Sequence, residues 1–301
     1  VNELFYSREQ RAKRACLHAH LATAARVKYP AALQCYKFDA PLLTAGYLTQ
    51  IMNIWRDLML VRRCGFYEKY IKRVLDIICS LLAIIVFFWL YIIIAVIVRI
   101  NMGTPVLFKQ SRPGQIGNHG RERIFDMYKF RTMTDERDEQ GNLLPDEQRL
   151  PKFGNWLRST SLDELPEVFN ILKGDMSIIG PRPQLVIDLV FMDDRVRMRH
   201  TAKPGLSGLA QVNGRNAVTW EQKFEWDLKY IEKVSFWNDL KIIGLTVKKV
   251  FLRSKTAGTS ETDVADDYGD WLLKTKKVSK TKYAALQAHA RNLIKEYEGR
   301  I

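Results

Sequence analysis

The stretch RSTSLDELPEVFNILKGDMSIIGPRP, residues 158–183, decides how the rest of the chain is read. Leu165, Val168, Phe169 and Leu172 recur at helical spacing and Gly174 follows the last of them, which predicts a short amphipathic helix with a glycine stop. Asp163 and Glu164 fall in its first turn. A start capped by Ser161 puts Glu164 in the capping-box position but leaves Pro166 deep enough to clash with the preceding turn. A start nearer Asp163 places Pro166 among amides that have no intrahelical partner. In either register the carboxylates sit beside the positive end of the helix, which favours an ionised Asp163 and also attracts phosphate.

Adjacent helical residues point about 100° apart, so this pair is poorly arranged to share one proton, and two different tasks fit it better. A carboxylate can serve as a covalent nucleophile toward phosphorus, and a second can hold Mg2+ together with substrate phosphate oxygens. The competing explanation is the ordinary preference of acidic residues for helix starts, worth about 0.3–1 kcal/mol each. Two cations flank the pair. Arg158 lies upstream, and Gly180-Pro181-Arg182-Pro183 holds a guanidinium between two prolines that fix the backbone, an arrangement suited to bidentate phosphate contact.

The string SLDELPEVFNILKGDMSIIGPRP resembles, almost residue for residue, the signature of the bacterial sugar transferase family, the monotopic polyprenyl-phosphate phosphoglycosyl transferases. The resemblance implies transfer of a phospho-sugar from a UDP-sugar to undecaprenyl phosphate with release of UMP, with Asp163 as nucleophile and Glu164 as Mg2+ ligand. Arg112, Lys129 and Arg131 fall in parts that resemble the family's F-x-Q-x-R-x-G and Y-K-F-R-[ST]-M blocks, which makes them phosphate-binding candidates with Arg182. AKPGLSGLAQVNGRN resembles the K-P-G-[IL]-[ST]-G-x-A-Q-V-N-G-R block, so Gln211, Asn213, Arg215 and Lys203 become candidates for the nucleotide site. Trp220, Glu221 and Phe224 resemble the branch that uses N-acetylated amino sugars. By resemblance the partners are a UDP-sugar, undecaprenyl phosphate and a membrane, at the cytoplasmic face of a bacterial inner membrane, with a homo-oligomer open and no nucleic acid.

A formal charge of +14 on 301 residues points to an anionic partner: nucleic acid, an acidic lipid surface or phosphorylated substrates. The lipid is favoured by the uncharged block IICSLLAIIVFFWLYIIIAVIV, residues 77–98, which is long enough for the ~20 residues a bilayer requires. Lys69, Lys72 and Arg73 precede it, and Arg99, Lys109 and Arg112 follow it, so a cytoplasmic Lys/Arg excess is met on both sides. Two cytoplasmic ends mean a re-entrant hairpin. The family's membrane-dipping helix opens with a Lys-Arg-x-x-Asp pattern that matches Lys72, Arg73 and Asp76. Where relatives carry Ser-Pro to break that helix, this chain reads Phe88-Trp89, and a plain spanning anchor is the alternative.

The four cysteines show no C-x-x-C spacing, so neither zinc nor a disulfide framework is indicated. Residues 1–66 carry no motif beyond the isolated His18 and His20, show no secretory signal and lie before the family resemblance; residues 1–58 are expected to be dispensable, with Met59 an alternative start. Val106–Gln110 and FDMYKFRTM read as paired strands around a loop at Gly114, Gly117 and Gly120, and 219–251 as two helices with aromatic faces. The expected architecture is mixed, helix-rich α/β. It comprises an N-terminal extension (1–66), a re-entrant membrane helix (67–101), a catalytic domain (102–253), and a polar linker with a basic helical tail (254–301). Rival readings are a membrane-tethered nucleic-acid-binding protein, which leaves the acidic pair unexplained, and an inactive membrane scaffold.

Overall fold

The structure, a computed structural model, describes residues 62, 64–117, 120–214, 218–253 and 266–299. The expectations for His18, His20 and the Met59 start lie outside the described residues.

A π-helical turn, Tyr67–Ile71, leads into α1, Lys72–Met102. At 1.5 Å per residue its 31 residues reach about 46 Å. Its buried positions are Lys72, Asp76 and Ser80 at one end and Ile94, Val98 and Met102 at the other, each set spaced by four so that it shares a face. The opposite face leaves Ile78, Leu82, Ile85, Phe88, Ile92 and Val96 exposed. The helix runs through Phe88-Trp89 without interruption, as a sequence free of proline and glycine allows. Both ends dock on the same body. Asp76 accepts from Ser177 Oγ and the Ile178 amide, each at 3.0 Å, while Ile94, Val98 and Met102 pack with Phe130 and Leu157.

The antiparallel hairpin of β1, Leu107–Ile116, and β2, Glu122–Phe130, follows. The strand continues past the expected loop at Gly114, with an irregularity between Pro113 and Ile116. Next comes α2, Lys152–Thr160, closed by Ser161 in the left-handed conformation at φ 57°.

Asp163 and Glu164 are not in the first turn of the next α-helix, contrary to the pattern-based expectation. Leu162–Glu164 forms a separate 3-10 turn, and α3 begins at Glu167. Pro166 explains the break: it has no N–H for the Leu162 carbonyl, which instead accepts from the Leu165 amide at 3.3 Å. α3 ends at Lys173, where Gly174 takes φ 95°, a conformation that costs glycine little, and its amide bonds back to Asn170 at 3.0 Å. The buried Asn170 side chain ties α3 to β2, accepting from the Tyr128 amide at 3.0 Å and donating to the Asp126 carbonyl at 2.7 Å.

β3, Ser177–Ile179, pairs in parallel with β4, Gly205–Ser207, and α4, Leu209–Asn213, follows directly. α5, Trp220–Glu232, starts with a Thr219/Gln222 capping box, and α6, Phe236–Arg253, packs Ile242 into the core formed by Ile179, Val212, Leu228 and Ile231. The C-terminal residues give two helices, α7, Tyr268–Lys274, and α8, Lys280–Glu298, so the tail is helical earlier than Lys274. Arg62 docks too, donating to Thr201 Oγ1 at 3.2 Å and to the Ile231 carbonyl at 2.9 Å.

Candidate active site

Two cations converge on Glu164. Lys129, on β2, reaches Oε1 at 3.0 Å, and Arg182 Nη2 donates to the same oxygen. Burial alone would raise the Glu164 carboxyl, but the charges and hydrogen bonds of Arg182 and Lys129 outweigh it and hold the group below the usual carboxylate range. Glu164 in turn lifts Arg182 above its ordinary value. The Arg182 backbone is fixed by its flanking prolines, and its carbonyl accepts from Arg199 Nη2 at 2.6 Å.

Asp163 has the opposite environment. It is 8% exposed, and among the described residues no hydrogen bond holds its carboxyl. Burial raises its pKa, Glu164 adds to the rise, and Lys129, Arg158 and Arg182 offset it only in part. A 3-10 turn has three residues per turn, so its successive side chains diverge by about 120°. Glu164 accordingly faces a cavity of about 800 Å3, whereas Asp163 lies beside the wall formed by Ser161, Glu164 and Leu165.

Arg112, Arg158 and Arg182 line that cavity together, Ala83, Phe87 and Tyr91 of α1 form one side, and Gln211 lies on another. Arg158 is aimed by Thr132 Oγ1 at 2.9 Å. Arg112 bonds to Gln110 Oε1 at 2.6 Å; burial, then the neighbouring Arg182, lowers its pKa to about 10. Gln211 anchors its amide on the Leu206 carbonyl at 3.0 Å, and its Oε1 is buried without a partner among the described residues.

Other candidates are elsewhere. Arg131 does not line the cavity: its guanidinium is engaged by the Met133 and Thr104 carbonyls, each at 2.8 Å, and by Asp135 at 2.5 Å, which makes it a clamp on the chain after β2. Asn213 folds back on the Leu209 carbonyl at 2.8 Å, within its own helix. Lys203 stands away from the cavity; burial and then the nearby Arg73 lower its pKa. Arg215 lies outside the described residues. Lys72, Arg73 and Asp76, read from the sequence as residues setting the helix at the membrane interface, tether it to the protein. Lys72 pairs with Asp239, Arg73 donates to the Ile171 and Leu172 carbonyls at 2.5 and 2.7 Å, and Asp76 holds β3.

Sequence reasoning passed over Glu167. It is 1% exposed and 3.4 Å from Lys129, and burial together with Glu164 pushes it up to about 7. The signal was its place three residues after Glu164, a spacing that brings side chains to one side of a helical turn.

Among the described residues no three His, Cys, Asp or Glu side chains form a metal cluster. One or two carboxylates plus substrate phosphates and water are nonetheless a sufficient donor set for Mg2+, which prefers hard oxygen ligands. Glu164, which faces the cavity, would supply such a carboxylate if a metal took the place of Lys129 or Arg182 on it.

The family model described as bacterial sugar transferase matches residues 67–253. Among similar proteins, "Uncharacterized sugar transferase EpsL" of Bacillus subtilis is 48% identical over 182 residues, covering 60% of this chain and 88% of that protein. "UDP-glucose:undecaprenyl-phosphate glucose-1-phosphate transferase" of Klebsiella pneumoniae is 41% identical over 191 residues, 60% of this chain and 40% of that protein. "UDP-N-acetylgalactosamine-undecaprenyl-phosphate N-acetylgalactosaminephosphotransferase" of Aeromonas hydrophila is 36% identical over 192 residues, 60% and 44% of the two chains. This chain thus spans less than half the length of the latter two.

Proposed function

The chain belongs to the bacterial sugar transferase family, and from that we propose that it transfers a phospho-sugar from a UDP-sugar to undecaprenyl phosphate, giving undecaprenyl diphospho-sugar and UMP. The names of the Klebsiella and Aeromonas relatives support the reaction class. The observation that carries the assignment to this site is the contrast within the dyad: a buried Asp163 carboxyl free of hydrogen bonds among the described residues, beside a Glu164 held by two cations at a cavity lined by three arginines.

In this reading an Asp163 oxygen attacks the phosphorus that bears the sugar, and the P–O bond to UMP breaks as UMP leaves with its electron pair. Undecaprenyl phosphate then attacks the same phosphorus through one of its oxygens, and the Asp163 carboxylate is released unchanged. Because no hydrogen bond among the described residues holds the Asp163 carboxyl, turning it from beside the wall toward the phosphorus breaks none. Arg158, Arg182 and Arg112 neutralise the diphosphate and hold it in line. Glu164 would hold Mg2+, which supplies further charge neutralisation on the phosphate oxygens when bound. The sugar is an N-acetylated amino sugar, on the resemblance at Trp220, Glu221 and Phe224.

Membrane seating follows from α1. The described helix Tyr67–Met102 is long and apolar enough to cross a bilayer, yet both of its ends are fastened to one catalytic body. A span normal to the membrane would carry the polar surfaces around Asp76 or around Phe130 into hydrocarbon, at a cost of several kcal/mol for each unsatisfied group. Dipping only the bare face, with both ends at the cytoplasmic surface, avoids this. The exposed Phe236, Trp237, Leu240, Ile243 and Val247 of α6 extend the apolar surface. Phe87 and Tyr91 place the cavity against that surface, where a lipid phosphate enters.

The test is incubation of the membrane-embedded protein with a panel of UDP-sugars, undecaprenyl phosphate and Mg2+, with UMP measured. Lipid-dependent UMP release from at least one donor is expected; none from any donor overturns the reading.

A further inference from the structure

The family match ends at residue 253, yet the described residues beyond it are built into the catalytic body. An aromatic cluster seats them: the Tyr268 ring lies 5.5 Å from Trp220 and meets Phe224 edge-on at 5.0 Å. Trp220 Nε1 donates to the Asp266 carbonyl at 3.1 Å, and the Gly269 amide donates to Asp188 Oδ1 at 3.3 Å. On α8, Ala290 is fully buried and Tyr283 packs on Phe191.

This packing brings Asp267 to the lining of the same cavity that Glu164 and Arg182 face. There it joins Asp188, Asp227, Arg112 and Trp220. Asp227 is 2% exposed, and its Oδ1 is buried without a hydrogen-bond partner among the described residues, as is Arg112 Nε. Burial and then the neighbouring Asp267 raise the Asp188 pKa, burial and then Asp270 raise that of Asp267, and Arg112 opposes the rise in both, so the guanidinium stands within reach of both carboxylates. Carboxylates accept from hydroxyl groups and an aromatic face covers the C–H side of a ring, which is the chemistry that binds a polyhydroxylated ring. The phosphate-facing arginines Arg158 and Arg182 and this wall of carboxylates and Trp220 are therefore suited to different parts of one nucleotide-sugar.

We propose that the C-terminal segment 266–299 is a working wall of the donor site and that Asp267 is a specificity-determining residue, accepting hydrogen bonds from the hydroxyls of a polyhydroxylated ring of the donor, its sugar or its ribose. The inference rests on the donor-binding reading of the cavity.

Two variants of the full chain in membranes test it. Asp267→Asn keeps the shape of the side chain and removes the charge. Gly269→Leu works differently, because any Cβ at Gly269 would stand 2.6 Å from the Phe191 ring and push the segment off its seat. Steady-state kinetics with several UDP-sugars, and inhibition by UMP, are measured for both. Lipid-dependent UMP release by the wild type establishes the donor-binding reading independently. If the sugar is the ring contacted, both variants raise KM for the preferred donor by about 10- to 100-fold, with kcat less affected and the preference among donors flattened, as loss of a hydrogen bond to a charged group predicts. If the ribose is contacted, KM rises alike for all donors and inhibition by UMP weakens by the same factor. An active wild type whose Asp267→Asn variant keeps KM, donor preference and UMP inhibition overturns the proposal. So does a fall in kcat alone, which would put Asp267 out of reach of either ring.

Discussion

Asp163 and Glu164 are neighbours on one 3-10 turn whose electrostatic environments push them in opposite directions: burial raises Asp163, and Arg182 with Lys129 lowers Glu164. A pair separated in this way is suited to two roles rather than to one shared proton.

Replacement of the proposed nucleophile should abolish turnover. Asp163→Asn leaves no carboxylate to form the covalent phospho-sugar adduct, so UMP release falls to background at any Mg2+ concentration. Asp163→Glu moves the attacking oxygen by about 1 Å and loses about 10²-fold. Mass analysis of the peptide containing residue 163, after incubation with a sugar-radiolabelled donor and no lipid, should find the adduct only when Asp163 is present. Near wild-type UMP release by Asp163→Asn would mean direct attack by the lipid phosphate.

Stability should move the other way. A carboxyl whose pKa is raised in the folded state holds its proton more tightly there than in the unfolded chain. Folding therefore carries no penalty from Asp163 below its unfolded pKa, loses stability as pH rises through the window up to the folded pKa, and keeps the full penalty above it. At pH 7.5 Asp163→Asn should melt above wild type, with the gap narrowing as pH falls toward about 4. A lower melting temperature at neutral pH would show that the ionised carboxyl is stabilising.

Glu164→Gln leaves Arg182 and Lys129 without their shared counter-charge. Because Glu164 and Arg182 are partly solvated, the destabilisation should be about 1–3 kcal/mol rather than the larger cost of breaking a dry ion pair. Residual activity should rise with added Mg2+ if the metal and the lost carboxylate share one task. Denaturation curves and a Mg2+ titration measure the two effects separately, and an unchanged Mg2+ dependence would remove Glu164 from the metal site.

The seating of α1 is open to labelling in intact cells. Cys64, exposed just before the helix, and a cysteine introduced at Asn101 near its end give one reporter at each end once the other cysteines are replaced. Both should be shielded from a membrane-impermeant thiol reagent until the cells are opened. Labelling of one reporter alone from outside would show a helix that crosses.

The glycine stop at Gly174, the α5–α6 pair and the apolar run of α1 were legible because each depends on residues close in sequence. Pro166 carried a readable signal as well, but the pattern of Leu165, Val168, Phe169 and Leu172 favoured one helix where Leu162–Glu164 and α3 are separate. Arg131 and Arg182 look alike in sequence, each a cation in a block that resembles the family. What separates them is tertiary placement: the Thr104 carbonyl, joined by the nearby Met133 carbonyl and Asp135, occupies the one, and a cavity receives the other. The tethers made by Asp76 and Arg73 were hidden as well, since their partners are about a hundred residues away in β3 and α3. The contribution of Tyr268 and Asp267 could not be read at all, because an aromatic next to acidic residues has no meaning until Trp220 is found beneath it.

The helix α1 is moored at Asp76 and again at Val98, with Tyr91 donating to the Leu165 carbonyl at 2.8 Å between them, and it is bare along its outer face. Such a member acts as a beam pinned along its inner side, with Phe87 and Tyr91 at mid-span forming the edge of the cavity. If the proposed seating holds, the surface that meets the lipid and the surface that borders the cavity belong to the same helix, so a change at one is felt at the other.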